Sequence, residues 1–177
     1  MPIKSLIRTI PDFPRPGIQF RDITTLLANP VGFARAIGDL AERYREREVD
    51  LVAGIEARGF IIGAALALAL ALGKGFVPVR KAAKLPGATL GQDYKLEYGS
   101  DRVEIHSDAV PPGARVLLVD DLVATGGTAE AASLLVAAAG GRVVECAFVI
   151  DLPDLGGRRR LEAQGLPVHA LCAFEGG

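Results

Sequence analysis

Arg115-Val-Leu-Leu-Val-Asp-Asp-Leu-Val-Ala-Thr-Gly-Gly-Thr128 is the stretch on which the fold turns. Its first half, Arg115 to Val119, has the continuous apolar character of a strand buried on both faces, as in a parallel sheet with helices on either side. Two adjacent carboxylates, Asp120 and Asp121, end that run. The turn Ala124-Thr-Gly-Gly-Thr128 comes next, and an alanine-rich helical pattern follows directly. A helix opening near Gly127 or Thr128 leaves its first amides without intrahelical partners, and its dipole there favours an anion. Gly126 and Gly127 let backbone approach a phosphate with no Cβ in the way, and Thr125 and Thr128 add hydroxyl donors. Asp120 and Asp121 would repel phosphate. They suit ribose hydroxyls, which donate to carboxylates, or a magnesium ion held nearby. A sugar with a 5′-phosphate spans both halves. The segment is neither a Walker A loop, since no Gly-Lys-Ser/Thr follows, nor a Rossmann fingerprint, since Gly-x-Gly-x-x-Gly is absent.

Outward from this segment the chain reads as alternating strands and helices. Residues 2–9 are expected as a short helix with Leu6, Ile7 and Ile10 inward. Pro11, Pro14, Pro16 and Gly17 then forbid regular structure. Asn29-Pro30 is a helix start, Asn as N-cap and Pro at the first helical position, with Phe33, Ile37, Leu40, Ala41 and Tyr44 following at helical spacing. Strands are expected at 51–55, 76–79, 115–120, 142–150 and 168–173. Helices are expected at 59–72, ended by Gly73, at 128–139, ended by Gly140-Gly141, and at 154–164, with Arg158, Arg159 and Arg160 on its wet face. Residues 80–106 break the alternation and read as a hairpin flap with β segments at 90–96 and 102–106. The whole is an α/β fold, doubly wound around a mainly parallel sheet.

Composition narrows the function. A chain of 177 residues suits one domain spanning 1–177. Half of it is hydrophobic and the net charge is −1, which argues against disorder and against a nucleic-acid partner. Cys146 and Cys172 sit in apolar runs and read as reduced thiols of a cytoplasmic protein. The N-terminus lacks the long apolar stretch and cleavage site of a signal peptide. The longest apolar stretch, Phe60 to Leu72, is about a third too short to span a bilayer, so no membrane role is expected. His106 and His169 lie within strand patterns with no partner at ligand spacing, and read as structural.

In sheets of this kind ligands sit at the carboxyl ends of strands. Polar groups are expected there at Glu56-Ala57-Arg58, Arg80-Lys81 and Asp120-Asp121. Val119-Asp-Asp-Leu-Val-Ala-Thr-Gly-Gly-Thr128 resembles the phosphoribosyl pyrophosphate (PRPP) signature of type I phosphoribosyltransferases. Four further segments resemble the adenine-specific members of that family: Phe13-Pro-Arg-Pro-Gly-Ile-Gln-Phe-Arg-Asp-Ile23, Ile55-Glu-Ala-Arg-Gly-Phe60, Val79-Arg-Lys-Ala-Ala-Lys-Leu-Pro-Gly87 and Leu96-Glu-Tyr-Gly99. The likeness runs in unbroken order from about residue 10 to the C-terminus.

The resemblance implies the type I phosphoribosyltransferase fold, with residues 1–28 as a hood and 80–106 as a flexible flap. It implies a Mg2+-dependent transferase of purine salvage that converts adenine and PRPP to AMP and pyrophosphate, in a cytoplasmic homodimer. Magnesium would be held mainly by PRPP, with Asp120 and Asp121 nearby and no dedicated protein metal site. Arg58 matches the pyrophosphate-loop arginine, a catalytic position, and the Glu56–Ala57 peptide in that loop would be cis. Arg80, Lys81 and Lys84 are the other cations for the leaving group. Phe20 would cover one face of the base while the main chain of its neighbours Gln19 and Arg21 reads the base edge. Glu97 matches the carboxylate that takes the N7 proton of adenine, and Tyr98 a tyrosine that closes over the site. Asp120 and Asp121 hold the ribose diol, and Ala124, Thr125, Gly126, Gly127 and Thr128 the 5′-phosphate. The chain departs from the family pattern at Ala82-Ala83, where glycine is frequent. Two other readings compete: a type I transferase for hypoxanthine, xanthine or orotate, and a PRPP-sensing regulator. The latter would need a DNA-binding domain or basic face that the sequence does not show.

Overall fold

The apolar runs assemble as one seven-stranded sheet in the computed structural model, which describes residues 2–69, 73–96 and 99–176. In chain order the strands are β1 (Arg8–Pro11), β2 (Gln19–Asp22), β3 (Leu51–Ile55), β4 (Gly75–Lys81), β5 (Thr89–Lys95), β6 (Ser100–His106), β7 (Arg115–Val123), β8 (Arg142–Asp151) and β9 (Val168–Ala173). The helices are α1 (Thr24–Leu27), α2 (Pro30–Tyr44), α3 (Arg58–Ala69), α4 (Gly127–Ala138) and α5 (Gly157–Glu162). The sheet order is β5-β6-β4-β3-β7-β8-β9. The five strands from β4 to β9 run parallel, and β6 and β5 are added antiparallel at one edge.

Burial on both faces explains the unbroken apolar run of β7. Leu117 and Val119 enter a core with Ile37, Leu40 and Leu66, from α2 and α3. Val116 and Leu118 enter the opposite core with Ala132 and Leu135 of α4. Leu117 and Leu118 are both fully buried, each worth about 1.5–3 kcal/mol of hydrophobic stabilisation. The α2 start follows its cap: Asn29 Oδ1 accepts from the Gly32 amide at 2.9 Å, ahead of Pro30 in the first turn.

The chain winds away from the β3–β7 junction in both directions. β3 leads through α3 to β4 on one side, and β7 leads through α4 to β8 on the other. This reversal of strand order is the topological switch point, where open α/β sheets bind ligands. The pairing opens a gap there. β3 is registered with β7 only as far as Gly54↔Val119, whereas β8 continues alongside β7 to Val123↔Asp151. Asp120 and Asp121 therefore lie within a strand that runs past its neighbour, not at a strand end as the sequence reading has it.

Three other segments differ from expectation. Residues 2–9 form a 3-10 turn at Ile3–Leu6 and then β1, which pairs antiparallel with β2 from Arg8↔Asp22 to Pro11↔Gln19. Pro11 does not forbid regular structure but ends β1, opposite Gln19, while Pro14, Pro16 and Gly17 lie in the loop joining these strands, where Phe13–Pro14 is cis. The expected helix over 154–164 is cut in two by Gly156, whose φ of 75° separates a 3-10 turn from α5. The hairpin segment joins the sheet. β6 pairs with β4 at Arg80↔Glu104 and Lys81↔Val103, and Val103, Ile105 and Tyr94 are buried in the α4-side core.

Candidate active site

The loop between β7 and α4 is shaped by backbone packing. Gly126 adopts φ 82° as the N-cap of α4, and a Cβ there would lie 2.9 Å from the Gly157 carbonyl oxygen. Gly157 in turn donates its amide to the Ala124 oxygen at 2.9 Å, and a Cβ on it would fall 2.3 Å from that atom. The opening of α5 thus clamps the loop from behind, and only glycine fits both positions. Glu130 makes the first α-helical bond, to the Gly126 oxygen at 2.9 Å. The amides of Gly127, Thr128 and Ala129 precede it and have no intrahelical partners. They border a cleft of about 170 Å³ lined by the whole Ala124–Thr128 loop, by Asp120, Asp121 and Phe148, and by Arg58 from the start of α3.

The acid pair is fixed from two sides. Asp121 is 3% exposed, and its Oδ2 accepts from Arg58 Nε. Asp120 Oδ1 accepts from the Asp121 amide at 2.8 Å. At Gly59, a Cβ would lie 2.7 Å from the Val119 oxygen and 3.0 Å from Asp120 Oδ1, so the start of α3 presses on the carboxylates. Burial, and then the neighbouring Asp121 carboxylate, push the Asp120 carboxyl well above the usual range, against the pull of Arg58. Burial opposes the charge on Arg58, but the Asp121 ion pair and the Asp120 carboxylate outweigh it and strengthen its hold on its proton. An approaching cation or pair of hydroxyl donors would favour the ionised form of Asp120.

A second group of charges gathers one strand over. The Glu56–Ala57 peptide is cis. Glu56 Oε2 accepts from the Lys81 amide at 2.8 Å and from Arg80 Nε at 3.2 Å, and these contacts, the amide foremost, hold its carboxyl below the usual range. Arg80 also donates to the Lys84 oxygen at 3.2 Å. Lys81 Nζ lies 3.1 Å from Tyr94 Oη and contacts Asp101 Oδ2. Arg80, Lys81 and Lys84 do not line the cleft beside Asp121. Of the expected cations, Arg58 alone does.

The expected base-reading residues lie on β2. Phe20 meets Phe13 edge-on at 5.2 Å between ring centroids. Arg21 stacks 4.6 Å over the Phe174 ring and donates to Thr9 Oγ1 at 2.6 Å and to the Glu175 oxygen at 3.1 Å. Gln19, Phe20 and Arg21 do not line the cleft either. Asp22, at the end of the same strand, accepts from Arg8 Nε at 3.1 Å and from the Thr24 amide at 2.9 Å, which lower its carboxyl pKa to about 2. Glu97 and Tyr98 lie outside the described residues.

Several contacts have no counterpart in the sequence reading. Glu56 serves as a brace for the β4 cations, Tyr94 and Asp101 engage Lys81, and Gly157 backs the Ala124–Thr128 loop. The Gly156-Gly157 pair was a visible signal for the last of these, but nothing in the local sequence marks Tyr94 or Asp101. Two of the three α5 arginines are engaged as well as part-exposed, while Arg159 is exposed as expected. Arg158 donates to the Val168 oxygen at 2.6 Å and lies 3.4 Å from Asp151, and Arg160 pairs with Glu130 of α4. Among the described residues, no group of three or more His, Cys, Asp or Glu side chains could hold a metal ion.

A doubly wound sheet with an acidic pair and a glycine-opened helix at its switch point defines a class of proteins that bind phosphorylated sugars. The family model described as the phosphoribosyl transferase domain matches residues 22–164. The chain is similar to the adenine phosphoribosyltransferase of Nitrosospira multiformis, with 66% identity covering 99% of each chain. It is also similar to the crystal structure of adenine phosphoribosyltransferase from Thermoanaerobacter pseudethanolicus, with TM-score 0.92 and 50% identity covering 97% of this chain and 98% of that one. A third likeness is to the Saccharomyces cerevisiae enzyme of the same name, complexed with an imino-altritol bisphosphate and adenine, with TM-score 0.88 and 43% identity covering 96% of each chain. The chain belongs to the phosphoribosyl transferase family, among the adenine phosphoribosyltransferases.

Proposed function

We propose that the protein transfers the 5-phosphoribosyl group of PRPP to adenine, giving AMP and pyrophosphate in purine salvage. One observation carries the reading: the β3–β7 switch point places Asp120 and Asp121 beside the open amides of α4, with Arg58 across the same cleft. That arrangement matches the two ends of a ribose 5-phosphate. Asp120 and Asp121 accept from the 2′- and 3′-hydroxyls, and the 124–128 loop takes the 5′-phosphate. Binding energy from the phosphate then orients C1′ for reaction. The C1′–oxygen bond breaks with its electron pair leaving on pyrophosphate, and the N9 lone pair of adenine forms the new bond. The two carboxylates stabilise cationic character that develops on the ribose. Arg58, Arg80, Lys81 and Lys84 supply cations to the leaving group. Glu97 takes the N7 proton and Tyr98 closes over the site. Phe20 stacks on the base, and the main chain of Gln19 and Arg21 reads its edge.

Magnesium fits this site as an ion brought by the substrate. The Asp120–Asp121 pair offers hard oxygen donors, but the described residues hold no cluster able to ligate a metal alone. When bound through the diphosphate, it would offset charge on the leaving group. A homodimer is proposed on the apolar side chains that α3 leaves open, Ile61 at 46% and Leu68 at 79% exposure. A cytoplasmic location is supported by two free cysteines, whose thiols burial pushes up to about 12 for Cys146 and about 11 for Cys172.

The test is an assay with adenine, PRPP and Mg2+, following AMP and pyrophosphate by chromatography, with hypoxanthine, xanthine and guanine as competing bases. Stoichiometric AMP with a preference of at least about a hundredfold for adenine is expected, since a polar base edge read by paired groups discriminates strongly. Equal use of hypoxanthine would move the protein to another base. Binding of PRPP with no turnover would make it a sensor.

A further inference from the structure

Lys81 leaves the end of β4 and reaches across to the hairpin. Its Nζ lies 3.1 Å from Tyr94 Oη and contacts Asp101 Oδ2, while Tyr94 Oη and Asp101 Oδ2 are themselves 3.1 Å apart. Tyr94 and Asp101 are direct partners in the β5–β6 register, so the ammonium is bonded to both strands of the hairpin at one rung. Tyr94 is 9% exposed, and its ring edge would lie 3.8 Å from a Cβ on Gly127, at the opening of α4. The Lys81 backbone is tied to Glu56 at 2.8 Å. One residue therefore joins the Glu56 loop to the hairpin, whose Tyr94 ring lies beside the opening of α4. An ammonium has three N–H donors, and two are engaged here.

We propose that Asp101 is a positioning residue for the transfer reaction: with Tyr94 it fixes the Lys81 ammonium so that the diphosphate end of the substrate meets an ordered donor. The inference rests on the assignment of Lys81 to the pyrophosphate end made above. A lysine stem is flexible, and ordering it on binding costs about 0.5–1.5 kcal/mol for a rotamer-rich side chain. Held in advance by two partners, Lys81 escapes that cost. The Asp101 carboxylate also draws on the ammonium charge. The pair is part-exposed, however, with side chains 41% and 27% accessible, so solvent screens that loss while the ordering is kept.

The test compares Asp101→Asn, Tyr94→Phe, Lys81→Met and the Asp101→Asn/Lys81→Met double variant in the full-length enzyme. KM is measured for PRPP at saturating adenine, and for adenine at saturating PRPP. Asp101→Asn is expected to raise the PRPP KM about twofold to twelvefold, the range that the ordering cost converts to. Tyr94→Phe should do the same more weakly, and the adenine KM should stay within about twofold for both. Lys81→Met should have the larger effect, and the double variant should be no worse than Lys81→Met alone. A purely structural pair would move both KM values and melting temperature together. An unchanged or lower PRPP KM for Asp101→Asn, or effects that multiply in the double variant, would overturn the proposal and leave the adenine reading intact. A Lys81→Met enzyme with normal PRPP kinetics would remove Lys81 from the pyrophosphate end, and the positioning role with it.

Discussion

The corner at residues 119–128 and the edge formed by Lys81, Tyr94 and Asp101, proposed above for opposite ends of one substrate, are built by different means. The corner is contiguous in sequence and works through backbone: amides opening α4, a glycine at φ 82°, and two carboxylates on a single strand. The edge is assembled from β4, β5 and β6, and works through side chains that hold one another. Backbone sites are rigid and local, because a helix terminus cannot rearrange without unwinding. Side-chain sites are adjustable and are specified by tertiary pairing. In the proposed reading, the end of the substrate that is retained meets the first kind of site, and the end that departs meets the second.

The comparison can be broken most sharply at the acid pair. Asp121→Ala removes a diol acceptor and leaves Arg58 without its partner, and turnover should fall at least about a hundredfold to a thousandfold while the circular dichroism spectrum is kept. Glu97→Ala should fall comparably if the carboxylate takes the N7 proton. Near-normal rates in both would remove these roles. Gly126→Ala tests the backbone character of the corner. It places a Cβ 2.9 Å from the Gly157 oxygen at a positive φ, at a cost of about 1–3 kcal/mol, and should raise the PRPP KM about tenfold or more. Gly113, at φ 76° with open space around it, is the control: Gly113→Ala should cost about 1–2 kcal/mol of stability and leave PRPP kinetics unchanged. If the two variants behave alike, the loop has no special geometry.

The smallest effect concerns the β1–β2 hairpin. The Asp22 pKa is lowered from 3.8 to about 2 in the folded protein, so its contribution is fully present above about pH 4 and is lost as pH falls through 2. Arg8, its partner, is 56% exposed, and solvent screening leaves about 1 kcal/mol. Asp22→Asn should lower stability by that amount at pH 7 in urea titrations, and should make stability less sensitive to acid between pH 4 and 2. An unchanged acid limb would show that the pair is not coupled to folding.

Legibility in the sequence followed the same division. β3 and β9 have the bounds expected of them, and the Asn29-Pro30 cap is where its chemistry places it, because each rests on signals within a few residues. The glycine turn opening α4 was legible for the same reason. The β1–β2 hairpin was not, because proline signals at 11–16 masked two short strands whose partners lie 8 to 14 residues apart in the chain. Nor could the extension of β7 to Val123 be read, since it depends on β8 continuing alongside after β3 has ended. Glu56, Tyr94 and Asp101 act on Arg80 and Lys81 from other strands, and no spacing in the chain announces that. The family resemblance supplied the cations themselves, but the residues that hold them emerge from tertiary structure.

A crystal structure of the enzyme with AMP, or with PRPP and Mg2+, would locate the phosphate and the ribose outright. The account predicts the 5′-phosphate on the amides of Gly126 to Thr128 and the ribose diol within hydrogen-bond distance of Asp120 and Asp121. A nucleotide seated elsewhere, or a phosphate facing away from the opening of α4, would contradict it.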